Sequence, residues 1–239
     1  MNRFRPYLVK MSNMVENTYD NVLTVPFRRY KNTFAIPLSN FWFRPFYLQE
    51  FYMVLGLWEP YVRRELKNLL HPDSVFIDIG AYIGSHTVFA AKIAGRVIAF
   101  EPDGRTYKIL ERNCRSLKNV NLHHEAVGSK MADIYLKHHP IPSYNETTDI
   151  EGKDCEPVRC VTLDSLLPQV DGPPVVKIDV EGKEVEVLKG GLNFIAQKQP
   201  DIIVETGTPE AIAELLQDYD GHCLFSPYWV YTKKNKSAK

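Results

Sequence analysis

The residues most able to do chemistry in this 239-residue sequence are four acids at or beside the carboxyl ends of strand-like runs. Asp78 lies in "VFIDI", Glu101 closes "VIAFE", Asp179 sits in "PVVKIDV", and Glu205 closes "DIIVE". In a parallel sheet covered by helices, ligands bind beyond the carboxyl ends of the strands, so acids on that rim point to a binding cleft. The plainer alternative is that each acid caps the helix that follows it.

Between Asp78 and the next helix runs "GAYIGS", with glycines at 80 and 84. A glycine loop joining strand to helix brings backbone N–H groups close to a ligand. Its G-x-x-x-G spacing is not the G-x-G-x-x-G of a dinucleotide site, and no Lys follows Gly84 as a triphosphate-binding loop requires. An acid about twenty residues farther on, here Glu101, accepts hydrogen bonds from ribose hydroxyls and favours a ribose without a 2′-phosphate. Asp78 suits the amino group of a methionine moiety, directly or through water. Together these residues describe a site for S-adenosylmethionine.

The elements that must position these groups alternate. "EPYVRRELKNLL" (59–70) has helical apolar spacing, a strand follows at 75–79, and a helix starts near Ser85, a candidate N-cap. Further strands are expected at 97–101, 120–127, 174–180 and 201–205, with helices over 104–117, "KEVEVLKGGLNFIAQ" and "PEAIAELLQDY". "ADIYLKHH" and "PVRCVTL" alternate like a strand pair around a polar stretch at 138–156, whose length marks it as a lid or substrate loop. "HCLF" and "WVYT" read as a closing hairpin, with "SPYW" as a turn before the last strand. Such alternation implies a mainly parallel sheet with helices on both faces. Residues 1–58 are aromatic-rich and irregular and read as an N-terminal extension or cap, 59–233 as the main domain, and 234–239 as a solvated tail.

At this point the chain resembles the FkbM-type family of class I S-adenosylmethionine-dependent methyltransferases. The matching stretches are "WEPYVRREL", "FIDIGAYIGSHT", "GRVIAFEPD", "EAVG", "VTLDSL", "VVKIDVEGKEVEVLKGG" and "DIIVET", in the family's order from about residue 58 to 206. The resemblance implies a Rossmann-like sheet of seven strands in the order 3-2-1-4-5-7-6, the seventh antiparallel. It implies O-methylation of a hydroxyl on a sugar, glycoconjugate or natural-product acceptor. It places Glu59, Asp78, Gly80, Ala81, Tyr82, Gly84, Ser85, Glu101, Pro102, Glu125, Ala126 and Asp179 at the cofactor, and Asp179, Glu181 and Glu205 at the chemistry. Tyr82 departs from the Asn usual at its position. Tyr tolerates a positive φ less readily, so either the backbone differs there or the ring covers the methionine end of the cofactor.

Methyl transfer to oxygen needs an aligned nucleophile and removal of its proton. Asp179 serves as base, acceptor contact or cofactor contact. Lys177 shares its face, and a Lys buried in a parallel strand needs a carboxylate partner, Asp78 or Asp179. Glu181 precedes a helix whose positive end it would favour. A divalent cation between Asp179 and Glu205 is the less favoured arrangement, and no metal is expected. His123–His124 and His138–His139 are adjacent pairs whose members face opposite ways on a strand, not ligand pairs.

Balanced charge, 29 basic against 29 acidic residues, offers no global field toward nucleic acid or membrane. The N-terminal "MNRFRPYLVKMSN" lacks the apolar run of a signal peptide, and "FYMVLGLW" is too short to span a bilayer. The four cysteines show no C-x-x-C spacing and fit a cytoplasmic, reduced protein. The alternatives are a methyltransferase of RNA or protein, and a fold-retaining protein that binds S-adenosylmethionine without transferring its methyl. Nothing in the sequence sets an oligomeric state.

Overall fold

The structure is a computed structural model that describes residues 28–30, 33–35, 42–43, 50, 52–53, 57–139, 145–152 and 155–234. The basic N-terminus, part of the 51–58 apolar segment and the tail beyond 234 lie outside the described residues.

Three short antiparallel strands come first: β1 (Arg28–Tyr30), β2 (Thr33–Ala35) and β3 (Trp42–Phe43). The described residues of the extension thus form strands where the sequence reads as irregular. Helix α1 (Pro60–Leu69) then leads into β4 (Val75–Ile79), α2 (Ser85–Ala90), β5 (Arg96–Phe100), α3 (Gly104–Cys114) and β6 (Val120–His123). After an inserted small sheet come β11 (Pro174–Ile178), α4 (Glu184–Lys189), α5 (Leu192–Lys198), β12 (Asp201–Glu205), α6 (Pro209–Leu215), β13 (Tyr219–Phe225) and β14 (Tyr228–Lys233).

The main sheet has seven strands in the order β6-β5-β4-β11-β12-β14-β13. Counted among themselves, its strands read 3-2-1-4-5-7-6, and β14 runs antiparallel to both its neighbours. Every residue of β4 and β11 is buried, as central parallel strands covered on both faces demand. Alternation divides their side chains. Val75, Ile77 and Ile79 pack with Val187, Phe194 and Ile212 from α4, α5 and α6, whereas Phe76 packs with Val62 and Leu66 from α1.

Four local expectations change. The residues 120–127 break, so that β7 (Ala126–Val127) joins the inserted sheet with β8 (Ala132–Lys137), β9 (Glu146–Thr148) and β10 (Cys155–Val161) in the order β7-β10-β8-β9. The expected β8–β10 pairing is there, and the polar stretch between them carries β9 rather than loop throughout. The helix expected through "KGGL" is two, because Gly190 approaches the Gly128 carbonyl so closely that a Cβ would lie 2.0 Å from its oxygen. Gly84, at φ +91°, occupies the N-cap of α2 in place of Ser85, whose hydroxyl accepts from Arg63 at 2.8 Å. Among the described residues no helix is long and apolar enough to cross a membrane.

Candidate active site

A cavity of about 410 Å³ opens at the carboxyl ends of β4, β5, β11 and β12. Of the residues expected there, Glu59, Gly80, Tyr82, Glu101, Pro102, Glu125, Ala126, Asp179, Glu181 and Glu205 line it. Asp78, Ala81, Gly84 and Ser85 do not. Asp78 is 1% exposed and spends its charge inside the protein. Its Oδ2 accepts from the Thr87 hydroxyl at 2.6 Å, and its Oδ1 lies 3.7 Å from Lys177 Nζ. The parallel register sets Lys177 directly opposite Asp78, which gives this acid a buried counter-ion behind the cavity lining.

One end of the cavity is built on Glu101. Its Oε2 accepts from the Tyr82 backbone N–H at 2.9 Å and its Oε1 from that of Asp103 at 2.8 Å. Glu101 is 7% exposed, and these two bonds fix the orientation of its carboxylate. It does not cap α3; Asp103 does, through the N–H groups of Arg105 and Thr106. Gly80, at φ +81°, closes the turn from β4, and a Cβ on it would lie 1.8 Å from the Asp179 carbonyl oxygen. The glycine therefore lets two loops meet, a reason for it that does not involve a ligand.

Tyr82 keeps the positive φ, at +52°, so the backbone does not depart from the form an Asn would adopt. Its hydroxyl donates to Glu50 at 2.7 Å, which ties the loop to the extension. Glu59 (φ +45°) and Glu181 (φ +52°) are also left-handed and also line the cavity. Each such residue costs about 1–3 kcal/mol and persists where surrounding structure holds it, as at ligand sites.

The other end is a cluster of carboxylates around one phenol. Lys177 Nζ donates to Asp179 Oδ2 at 3.0 Å. Burial works against the ammonium charge, but Asp179, Asp78 and Glu59 outweigh it and hold its pKa above the ordinary value. Tyr228 Oη lies 2.5 Å from Glu205 Oε2 and 2.5 Å from Glu59 Oε1. Glu59 Oε2 in turn meets His86 Nε2 at 2.8 Å. Burial first, then the neighbouring Asp179 charge, pushes the Glu205 carboxyl up to about 9. Burial and the surrounding acids likewise raise the Tyr228 phenol.

Tyr61, Lys183, Phe225 and Tyr228 also line the cavity, and the sequence reading assigns none of them to it. "SPYW" is the turn expected, with a cis Ser226–Pro227 bond, but it also forms cavity wall. In sequence it is only an aromatic run between β13 and β14; the β12–β14 pairing of Glu205 with Tyr228 gives it meaning. From the 138–156 stretch, Asn145 and Thr147 reach the cavity.

This geometry sits within a recognisable sequence. The model of the methyltransferase FkbM domain matches residues 78–223. The chain belongs to the FkbM methyltransferase family. Hexuronic acid methyltransferase AglP of Haloferax volcanii is 32% identical over 163 residues, 66% of this chain and 67% of that protein. The crystal structure of methyltransferase FkbM from Methylobacillus flagellatus KT superposes with a TM-score of 0.50 at 17% identity, over 79% of this chain. This chain spans about half of that one, 53% of its length. The superposition speaks for the shared fold.

Two further groupings bear on metals. Lys177 already pairs with Asp179, one of the two acids a cation between Asp179 and Glu205 would need. Asp103, His138 and Glu156 offer ligand atoms within 4.8 Å of one another, a set that the adjacency of His138 and His139 does not announce. Its geometry has a structural cause: Asp103 caps α3, and His138 Nε2 meets Glu156 at 3.1 Å.

Proposed function

We propose that this FkbM-family protein is a methyltransferase that uses S-adenosylmethionine to methylate an oxygen of a sugar-type acceptor. The observation that carries the reading is Glu101, buried, oriented by two backbone N–H groups, and facing a cavity with a carboxylate cluster at its far end. Six acids and a single lysine among the described lining residues suit a cationic sulfonium and oppose a phosphate-bearing cofactor. S-adenosylmethionine supplies a methyl group already activated by its positive sulfur. Glu101 holds the ribose, Asp179 and Glu205 position the acceptor, and one of them takes its proton, work worth about 10²–10⁴-fold. Residues 59–233 form the methyltransferase domain, with 1–58 as its cap. The free cysteines fit a cytoplasmic setting.

A hexuronic acid, the acceptor in the relative's name, offers hydroxyls and a carboxylate. The carboxylates around Tyr228 favour a hydroxyl, which needs a base. Lys183, the lone lysine among the described lining residues, favours the second reading, a carboxylate acceptor that needs no base but does need a cation.

The test has two arms. Glu101→Ala weakens S-adenosylmethionine binding by about 1.5–3 kcal/mol per charged hydrogen bond lost, read by calorimetry. Unchanged affinity in the folded variant removes Glu101 from the site, and no binding by the unaltered protein removes the cofactor reading. Methylated product from a panel of glycans and glycolipid extracts is then treated with mild alkali. Survival of the methyl group marks an ether, and its loss marks an ester.

A further inference from the structure

The Tyr228 phenol has one proton but two carboxylate neighbours, Glu205 and Glu59, each 2.5 Å away. It can donate to only one. The other oxygen–oxygen contact is in the range of a strong hydrogen bond, and it requires a proton on a carboxyl. The second neighbour of each acid decides which one. Glu59 faces the Nε2 of His86, a nitrogen able to donate, while Glu205 faces Asp179, another carboxylate. The proton belongs on Glu205.

We propose that Glu205 is a base armed by the charge of the cofactor: protonated in the free protein, it gives up its proton when a cationic sulfonium occupies the cavity, and so becomes able to accept one from the acceptor. This rests on the reading that the cavity takes S-adenosylmethionine. In the transfer, the bond from the acceptor oxygen to the methyl carbon forms and the carbon–sulfur bond breaks. The bonding pair stays on sulfur, and the hydroxyl proton goes to the Glu205 carboxylate. The sulfur is then neutral, so the charge that kept Glu205 ionised has gone and the carboxyl retains the proton.

Among the described residues, every charged or titratable group facing Glu205 fits this cycle. Asp179 at the end of β11 resists a second negative charge beside it, and its own is balanced by Lys177. Glu59 before α1 adds to that resistance, Tyr228 on β14 opposes it by turning its proton to Glu205 once that carboxyl is ionised, and Tyr61 on α1 is itself raised to about 12 by burial and by Glu59, Glu205 and Asp179. Glu181 and Lys183 line the same cavity with opposite charges. Burial and Asp179 set the Glu205 carboxyl at about 9. A unit positive charge at about 5 Å, with an effective dielectric of about 20, lowers this by about two pH units. Near pH 8 the group thus passes from mostly protonated to mostly ionised.

The experiment is titration calorimetry of the full chain at pH 8 in two buffers of different ionisation enthalpy, with S-adenosylmethionine and with S-adenosylhomocysteine, which lacks the charge. We expect close to one proton released with S-adenosylmethionine and little with S-adenosylhomocysteine. Glu205→Gln should bind S-adenosylhomocysteine and release no proton with either ligand. Tyr228→Phe removes the donor that favours the ionised carboxyl, and should move the pH of half-release upward. Equal proton counts for the two ligands in the unaltered protein, or unchanged release in Glu205→Gln, overturn the proposal. If neither ligand binds, the cofactor reading itself falls, and this proposal with it.

Discussion

Lys177 carries more of the site than its distance from the solvent implies. It is 2% exposed and bridges Asp78, locked in the sheet, to Asp179, which lines the cavity. Removing one partner of a buried ion pair leaves uncompensated charge, at a cost of about 3–5 kcal/mol. Lys177→Met should therefore lose about that much in urea unfolding, and a loss below about 1 kcal/mol would show the acids to be otherwise satisfied. Glu205 gives a second expectation, in pH. Its folded pKa lies above its ordinary value, so the folded state binds the extra proton. Its contribution is complete below the unfolded pKa of about 4.5 and is lost as pH rises toward about 9. Stability without ligand should fall across that window by up to about 1.4 kcal/mol per pH unit from this group. Glu205→Gln should flatten the slope, and an equal slope in the variant would assign it elsewhere.

At the scale of elements, the loops after β4 and β11 depend on each other. Gly80 and Gly182 both have positive φ, +81° and +98°, but they differ in surroundings. A Cβ on Gly80 meets the Asp179 carbonyl oxygen at 1.8 Å, and one on Gly182 meets nothing within 4 Å. Gly182→Ala should thus cost only the left-handed strain, about 1–2 kcal/mol. Gly80→Ala must also push the β11 loop away, and should lower the melting temperature further and disturb Asp179. Equal melting temperatures for the two variants would mean that the loops yield freely. The same close approach, Gly190 on Gly128, turns one expected helix into α4 and α5 and docks the inserted sheet against the main domain.

For the whole molecule, the described residues of the extension meet the rest of the chain at the loop after β4. Phe43 and Met53 are buried with Ile83 and Ile109, and Tyr82, between the two parts, donates to Glu50. A ligand that orders this junction and an extension that holds it should assist each other. A chain lacking residues 1–49 should keep the folded domain by circular dichroism yet bind S-adenosylmethionine several-fold more weakly. Unchanged affinity would separate the extension from the cofactor and leave it to the acceptor.

The sequence by itself determined the alternation of strands and helices, and with it the sheet, because runs such as "VFIDI" and "PVVKI", apolar but for Asp78 and Lys177, are buried on both faces. It also pointed to Glu101 at the cavity, since an acid just beyond the second strand after a glycine loop is a local pattern. It could not place Asp78 beside Lys177, because that pairing exists only in the β4–β11 register. Nor could it join Glu59 to Tyr228, which are 169 residues apart and yet within 2.5 Å, because that contact exists only where β14 returns antiparallel beside β12. Spacing along the chain encodes elements, but the proton-sharing cluster is made by strand order and register, and these are fixed only when the whole sheet packs.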